Sequence, residues 1–275
     1  MAGIAEGQIR RLGVADVTSA LVLSMQAGWN QTEDDWRMLI DLVPEGCLGM
    51  EVDGELAATT TLVCYGQRLA WVGMVLTKIE FQGHGLARRL LSEVLKLADR
   101  MKIETVKLDA TDEGRPLYEK SGFRFEQSVE RWSRVGIGNT VGLSEGANCL
   151  PEQGYETDCE AFGADRSQLL EKLAQRNAPS VSSKSWLLGR SGCKTAYLGP
   201  CVSNDAVEAR TLITRCVQNT KASISWDLLS QNQNAVAIAK DLGFIPQRHL
   251  ARMVRGKDLR GREESIYALA GFELG

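Results

Sequence analysis

The chain has 275 residues, 44% hydrophobic and 24% charged, which supplies apolar material for two ordinary globular cores and argues against wholesale disorder. A formal net charge of -3 excludes a protein that wraps nucleic acid, because phosphate neutralisation needs a surplus of Lys and Arg on one face. No run of about 18 uninterrupted apolar residues occurs, and residues 1–11 lack the basic and apolar regions of a secretory signal, so a cytoplasmic protein without a membrane partner is expected.

Residues 9–12 read as an opening strand and 16–27 as a helix with Val17, Ala20, Leu21 and Leu23 on its apolar side. Thr32 followed three residues later by Asp35 resembles a capping box that starts a second helix through Trp36, Leu39 and Ile40. Strands at 47–52 and 56–65 flank Asp53-Gly54, a dipeptide suited to a tight hairpin turn. The almost wholly apolar stretch 69–76 reads as a central strand covered on both faces. It runs into Gln82-Gly83-His84-Gly85-Leu86-Ala87, after which Leu90, Leu91, Val94, Leu95, Ala98 and Met101 recur at helical spacing. A strand at 105–110, a short helix at 116–120 ended by Gly122 and a strand at 123–132 complete this half.

Four glycines fall within residues 136–146 without an apolar period, which marks a connection. Three segments follow from this: a domain over 1–135, a linker over 136–150 and a second domain over 151–275. The second half weakly repeats the first, with Ala196-Tyr197-Leu198-Gly199 matching Ala70-Trp71-Val72-Gly73 and Gly243-Phe244 matching Gly122-Phe123. The seven cysteines lack Cys-x-x-Cys spacing, and the histidines are only His84 and His249, so neither a disulfide framework nor a metal site is expected.

A strand that ends in a glycine-rich turn and opens a helix presents free N–H groups and the positive end of the helix dipole to an anion. A dinucleotide fingerprint is excluded, since Arg88 stands where its third glycine belongs and no βαβ unit precedes the loop. The six loop residues resemble the Q/R-x-x-G-x-G/A motif of the GNAT acetyltransferase superfamily. Phe81 before the loop and Leu117-Tyr118-Glu119-Lys120-Ser121-Gly122-Phe123 downstream extend the likeness.

The resemblance implies a tandem GNAT fold, α/β with a mixed sheet, and an acetyl-CoA-dependent N-acetyltransferase acting on a primary amine of a small molecule or peptide. It implies that the backbone of Val75, Leu76 and Thr77 pairs with the pantetheine arm of acetyl-CoA where two strands splay. Gln82, Gly83, His84, Gly85, Leu86, Ala87 and Arg88 would then hold the pyrophosphate. Tyr118 is the candidate general acid, because a phenol can protonate a departing thiolate. Glu51, Glu80 and Asp109 are carboxylates near the expected site, none with an assigned role.

Trp29, Asn30, Asp34 and Asp35 are acceptor-side candidates, their acids suited to attracting a cationic amine. Helix capping and core packing are the competing roles for that segment. In the second half, residues 208–213 align with the glycine loop and Ala239 with Tyr118, so the phosphate cradle and the acid are both missing there. That half is expected either to close over the acceptor, with Trp226 and Asp227 touching it, or to dimerise or stabilise the first. A non-catalytic acyl-CoA sensor is the alternative function.

Overall fold

The structure is a computed structural model that describes residues 7–138, 149–183 and 185–275. Most of the expected linker, residues 139–148, lies outside them.

The first half contains β1 (Gln8–Arg11), α1 (Val17–Gln26), α2 (Glu33–Leu42), β2 (Cys47–Val52), β3 (Glu55–Tyr65), β4 (Leu69–Thr77), α3 (Leu86–Arg100), β5 (Thr105–Ala110), α4 (Arg115–Lys120) and β6 (Arg124–Arg134). The second contains α5 (Glu152–Phe162), α6 (Ser167–Arg176), β7 (Ser180–Val181), β8 (Ser185–Arg190), β9 (Ala196–Ser203), α7 (Ala206–Asn219), β10 (Ile224–Leu229), α8 (Gln233–Asp241), β11 (Ile245–Gly256) and β12 (Ile266–Ala268).

All strands join one mixed sheet in the order β1-β2-β3-β4-β5-β11-β6-β10-β9-β8-β7, with β12 on β9. The repeat is visible in its connections. In each half a parallel pair, β4 with β5 and β9 with β10, is joined by a crossover helix, α3 or α7. The last strands are exchanged: β11 pairs with β5, while β6 pairs with β10, and the two exchanged strands pair with each other. Each half therefore completes the sheet of the other.

Helix α3 buries Leu90, Leu91, Val94, Leu95 and Ala98 and turns Arg88, Arg89, Lys96 and Arg100 outward, as its periodicity requires. Helix α2 starts at the Thr32–Asp35 box: Thr32 N–H donates to Asp35 Oδ2 (2.9 Å) and Asp35 N–H to Thr32 Oγ1 (3.2 Å). On the face opposite α3, helices of both halves share one core in which Trp36, Trp71, Phe162, Leu170 and Trp186 are all buried. A continuous sheet and a common core make the halves one packed unit.

Two irregularities in β4 prepare the site. Met74 adopts φ +49°, and the register against β3 slips between Thr59 opposite Leu76 and Thr61 opposite Gly73, so β4 carries a bulge there. Thr59 Oγ1 donates to the Met74 carbonyl (2.8 Å) and fixes it. On its other edge β4 pairs with β5 only from Leu69 to Trp71, after which the two parallel strands part.

Candidate active site

The gap between β4 and β5 opens into a cavity of about 370 Å³. Val75, Thr77, Gln82, Ala87 and Tyr118, five of the residues expected from the sequence, line it together with Trp29. Leu76 points its side chain into the core, where it is 5% exposed, so only its backbone is available to the gap.

The loop beyond β4 is shaped by Gly83 (φ +79°) and Gly85 (φ +76°), a left-handed pair that side-chain-bearing residues adopt at a cost. Among the described residues the N–H groups of Gly83, His84, Gly85 and Leu86 make no backbone hydrogen bond, and they lie at the N-terminal end of α3. His84 and Arg88 are exposed, His84 Nδ1 lying 2.9 Å from the Gln82 carbonyl oxygen, and Leu86 is buried under the loop. The arrangement can receive an anion through main-chain donors.

Tyr118 sits on α4 across the cavity, 8% exposed, its ring edge-on to Phe123 at 6.1 Å. Its hydroxyl makes no hydrogen bond among the described residues, and burial pushes its pKa up to about 12, which keeps the phenol protonated at neutral pH. Asp109 on β5 also lines the cavity, with both carboxylate oxygens occupied by Arg252 of β11 (2.9 and 3.0 Å). Burial raises the Asp109 pKa, and Arg252 opposes that rise. Of the other two carboxylates, Glu51 accepts from Arg10 (2.8 Å) and Glu80 is exposed beside Lys78.

The acceptor-side candidates separate. Trp29 lines the cavity, whereas Asn30 is buried and fastens the loop before β9, donating to the Thr195 carbonyl (2.9 Å) and accepting from Lys194 N–H (2.6 Å). Asp34 is exposed in the first turn of α2 and does not line the cavity. Asp35 is 1% exposed and bound to Arg176 (2.7 Å) and Arg190 (3.4 Å), so it serves the cap and the interface between halves. Trp226 is fully buried on β10, donating to the Tyr267 carbonyl (2.9 Å) and stacked edge-on with Phe244, and so does not reach a ligand. Asp227 acts at one remove: both its oxygens hold Arg131 of β6 (2.6 Å each), and Arg131 lines the cavity.

Sequence reading missed Arg131, Arg248, Leu250, Phe272 and Glu273, all cavity-lining. Arg131 had a signal, since it shares the inward alternation of β6 with Gln127 and Val129 and an arginine in such a row needs a reason. Phe272 and Glu273 had none; they are placed by Trp71 Nε1 donating to the Phe272 carbonyl (2.9 Å) and Tyr65 Oη donating to the Leu274 carbonyl (2.6 Å). Arg248, Leu250, Phe272 and Glu273 come from the second half, which therefore helps enclose the cavity.

In the second half the corresponding place is closed twice. The junction before α7 falls at residues 203–205, and the aligned stretch 208–213 lies inside that helix. At the junction Asp205 accepts from the N–H groups of Val207 (2.9 Å) and Glu208 (3.1 Å), so a carboxylate of the chain occupies the helix terminus. The gap where β9 leaves β10 is filled by β12, which pairs with Cys201 and Val202, and the residue that follows it, Leu269, donates its N–H to the Asp227 carbonyl (2.8 Å). Ala239 stands at the Tyr118 position, as the matching end bonds show: Phe123 N–H to the Tyr118 carbonyl (3.1 Å) and Phe244 N–H to the Ala239 carbonyl (2.9 Å).

Residues 15–123 match a family model described as acetyltransferase (GNAT) family, and residues 155–268 match one described as acetyltransferase (GNAT) domain. The chain is a tandem GNAT protein. Membership makes it an acyltransferase. The uncharacterised N-acetyltransferase YitH of Bacillus subtilis (strain 168) is 26% identical to this GNAT protein over 283 residues, covering 98% of each chain. A crystal structure from Pyrococcus horikoshii superposes with a TM-score of 0.86 at 20% identity, covering 100% of this chain and 98% of that one, and so shares the complete two-half fold. The tandem GNAT protein of the clavulanic acid biosynthesis pathway aligns with a TM-score of 0.60 at 12% identity, over 92% of this chain and 100% of its own. No helix among the described residues is long and apolar enough to cross a membrane.

Proposed function

We propose that the chain transfers the acetyl group of acetyl-CoA to a primary amine of a small molecule or peptide, at one site formed around β4, β5 and α4. The observation that carries this reading is the parting of β4 and β5 after the Trp71–Lys107 pair. It leaves an unpaired β4 edge at Val75 and Thr77, flanked by a loop of free N–H groups on one side and Tyr118 on the other.

These features suit the cofactor's chemistry. An extended arm with amide groups fits an open strand edge, and a pyrophosphate fits main-chain donors at the start of α3. When bound, acetyl-CoA supplies an activated acetyl thioester. The β4 edge and the loop at 82–88 orient it, the cavity walls exclude water, and Tyr118 Oη gives a proton to the departing sulfur. Asp227 holds Arg131 at the cavity, and Trp29 and Phe272 supply apolar walls on the acceptor side.

The test is release of free thiol from acetyl-CoA over a panel of amino acids, polyamines, amino sugars and peptides. At least one amine should give stoichiometric acetylated product. Binding of CoA with no turnover on any amine would instead favour an acyl-CoA sensor.

A further inference from the structure

We propose that Glu273, brought to the cavity by the second half, is the proton acceptor for the attacking amine; this rests on the acetyl-transfer reading. Three observations lead to it.

The first is position. The segment 271–275 lies directly on β4, where a Cβ at Gly73 would come within 2.7 Å of the Glu273 carbonyl oxygen and 3.0 Å of its Cα. Gly73 immediately precedes the bulge at Met74, so Glu273 stands at the point where β4 turns its edge to the gap. Glu273 lines the same cavity as Tyr118 and Thr77.

The second is availability. Three carboxylates line the cavity. Asp109 has both oxygens committed to the Arg252 fork, and Glu113 is exposed. Glu273 is 5% exposed and bonded by a side chain through Oε1 alone, to Arg190 Nη2 (2.9 Å), leaving Oε2 without a side-chain partner among the described residues. Arg190 anchors Oε1, the residue's own backbone N–H also donates to the carboxylate, and no second side chain competes for Oε2 among the described residues.

The third is electrostatic environment. The charged and titratable groups facing Glu273 are Arg190 of β8, Arg131 of β6, Asp35 of α2, Tyr197 of β9 and Tyr65 of β3. Burial raises its pKa; Arg190, the residue's own backbone N–H and Arg131 oppose the rise, while Asp35 adds to it. A carboxylate with a raised pKa is a better base than an exposed one.

The proton count closes. The acceptor nitrogen gives one proton to Glu273 Oε2, its lone pair forms the N–C bond, and the C–S bond electrons leave on sulfur. Tyr118 Oη gives sulfur its proton. Glu273 then releases a proton to solvent and Tyr118 regains one. Arg190 is a positioning residue, since it holds Oε1 and is held in turn by Asp35 and the Ala270 carbonyl (2.5 Å).

The experiment compares wild type, Glu273→Gln and Glu273→Asp in three measurements: kcat/KM against pH, CoA affinity by calorimetry, and the infrared carboxyl band with 13C-labelled glutamate. For Glu273→Gln the expected result is a loss of about a hundredfold or more in kcat, disappearance of the acid limb, and CoA affinity within about twofold of wild type. A glutamic acid band that titrates above the ordinary range in wild type should be missing in the variant. Gln keeps an oxygen for Arg190, so folding is expected. Should it fail, Glu273→Asp keeps the charge, and the expectation is then a kcat at least about tenfold down with the acid limb retained.

An active wild type whose Glu273→Gln variant turns over within about threefold, or keeps its acid limb, overturns the assignment alone. A wild type inactive on every amine overturns the transfer reading and the assignment with it.

Discussion

Gly73 on β4 and Glu273 after β12 are packed backbone to backbone, so closely that any side chain at 73 would strike the Glu273 main chain. A residue from the second half is thereby set against the strand that opens the candidate site in the first. Gly73→Ala should push the 271–275 segment off β4, costing about 1–3 kcal/mol by overpacking. Urea unfolding would show this as a lower midpoint, with acetyl transfer falling more steeply than stability. Unchanged activity in Gly73→Ala would mean that the seating of this segment is irrelevant to the chemistry.

Tyr118→Phe keeps the edge-on contact with Phe123 and removes only the hydroxyl. Its kcat should fall by about a hundredfold or more while CoA affinity holds, because the phenol is asked for a proton and not for binding. Saturating kinetics and calorimetry on the same preparation separate the two effects.

The exchange of β6 and β11 predicts a single unfolding transition for both halves. Neither sheet is complete without the strand of the other, and Trp36, Trp71, Phe162 and Trp186 share one core. Circular dichroism and tryptophan fluorescence should therefore give coincident denaturant curves. Two resolved transitions would show that the halves fold independently.

Asp35 ties α2 to the second half and gives that interface a pH dependence. Burial works against its charge, yet Arg190, Arg176 and the Thr32 N–H together bring its pKa below the usual aspartate value. A depressed folded pKa contributes stability above the unfolded value, about 3.9, and loses it as pH falls through the folded one. Asp35→Asn should thus be clearly less stable than wild type at neutral pH, with the gap narrowing below about pH 4. A gap that stays constant with pH would assign the loss to packing.

What the sequence made legible follows from how local each signal is. The Thr32–Asp35 box, the apolar stripe of α3 and the glycine loop before it are set by neighbours within a few residues, and they stand where the spacing put them. The strand exchange left no trace, because β6 and β11 alternate as any strand does and nothing in a period of two names the partner. Trp226-Asp227 looked like a ligand-binding pair, but adjacent strand residues point to opposite faces: Trp226 fills the core of the second half and Asp227 holds Arg131. Glu273 was invisible for the opposite reason, since its place depends on bonds from Trp71, Tyr65 and Arg190, about 80 to 200 residues away in sequence.

The central claim, that the gap between β4 and β5 is an acetyl-transfer site, is tested most directly by incubating the wild-type protein with acetyl-CoA and the amine panel. Free thiol and acetylated product would be followed together. Equal yields of thiol and N-acetyl product from at least one amine, abolished by Tyr118→Phe with Glu273→Gln, are predicted. CoA binding without product from any amine would contradict it.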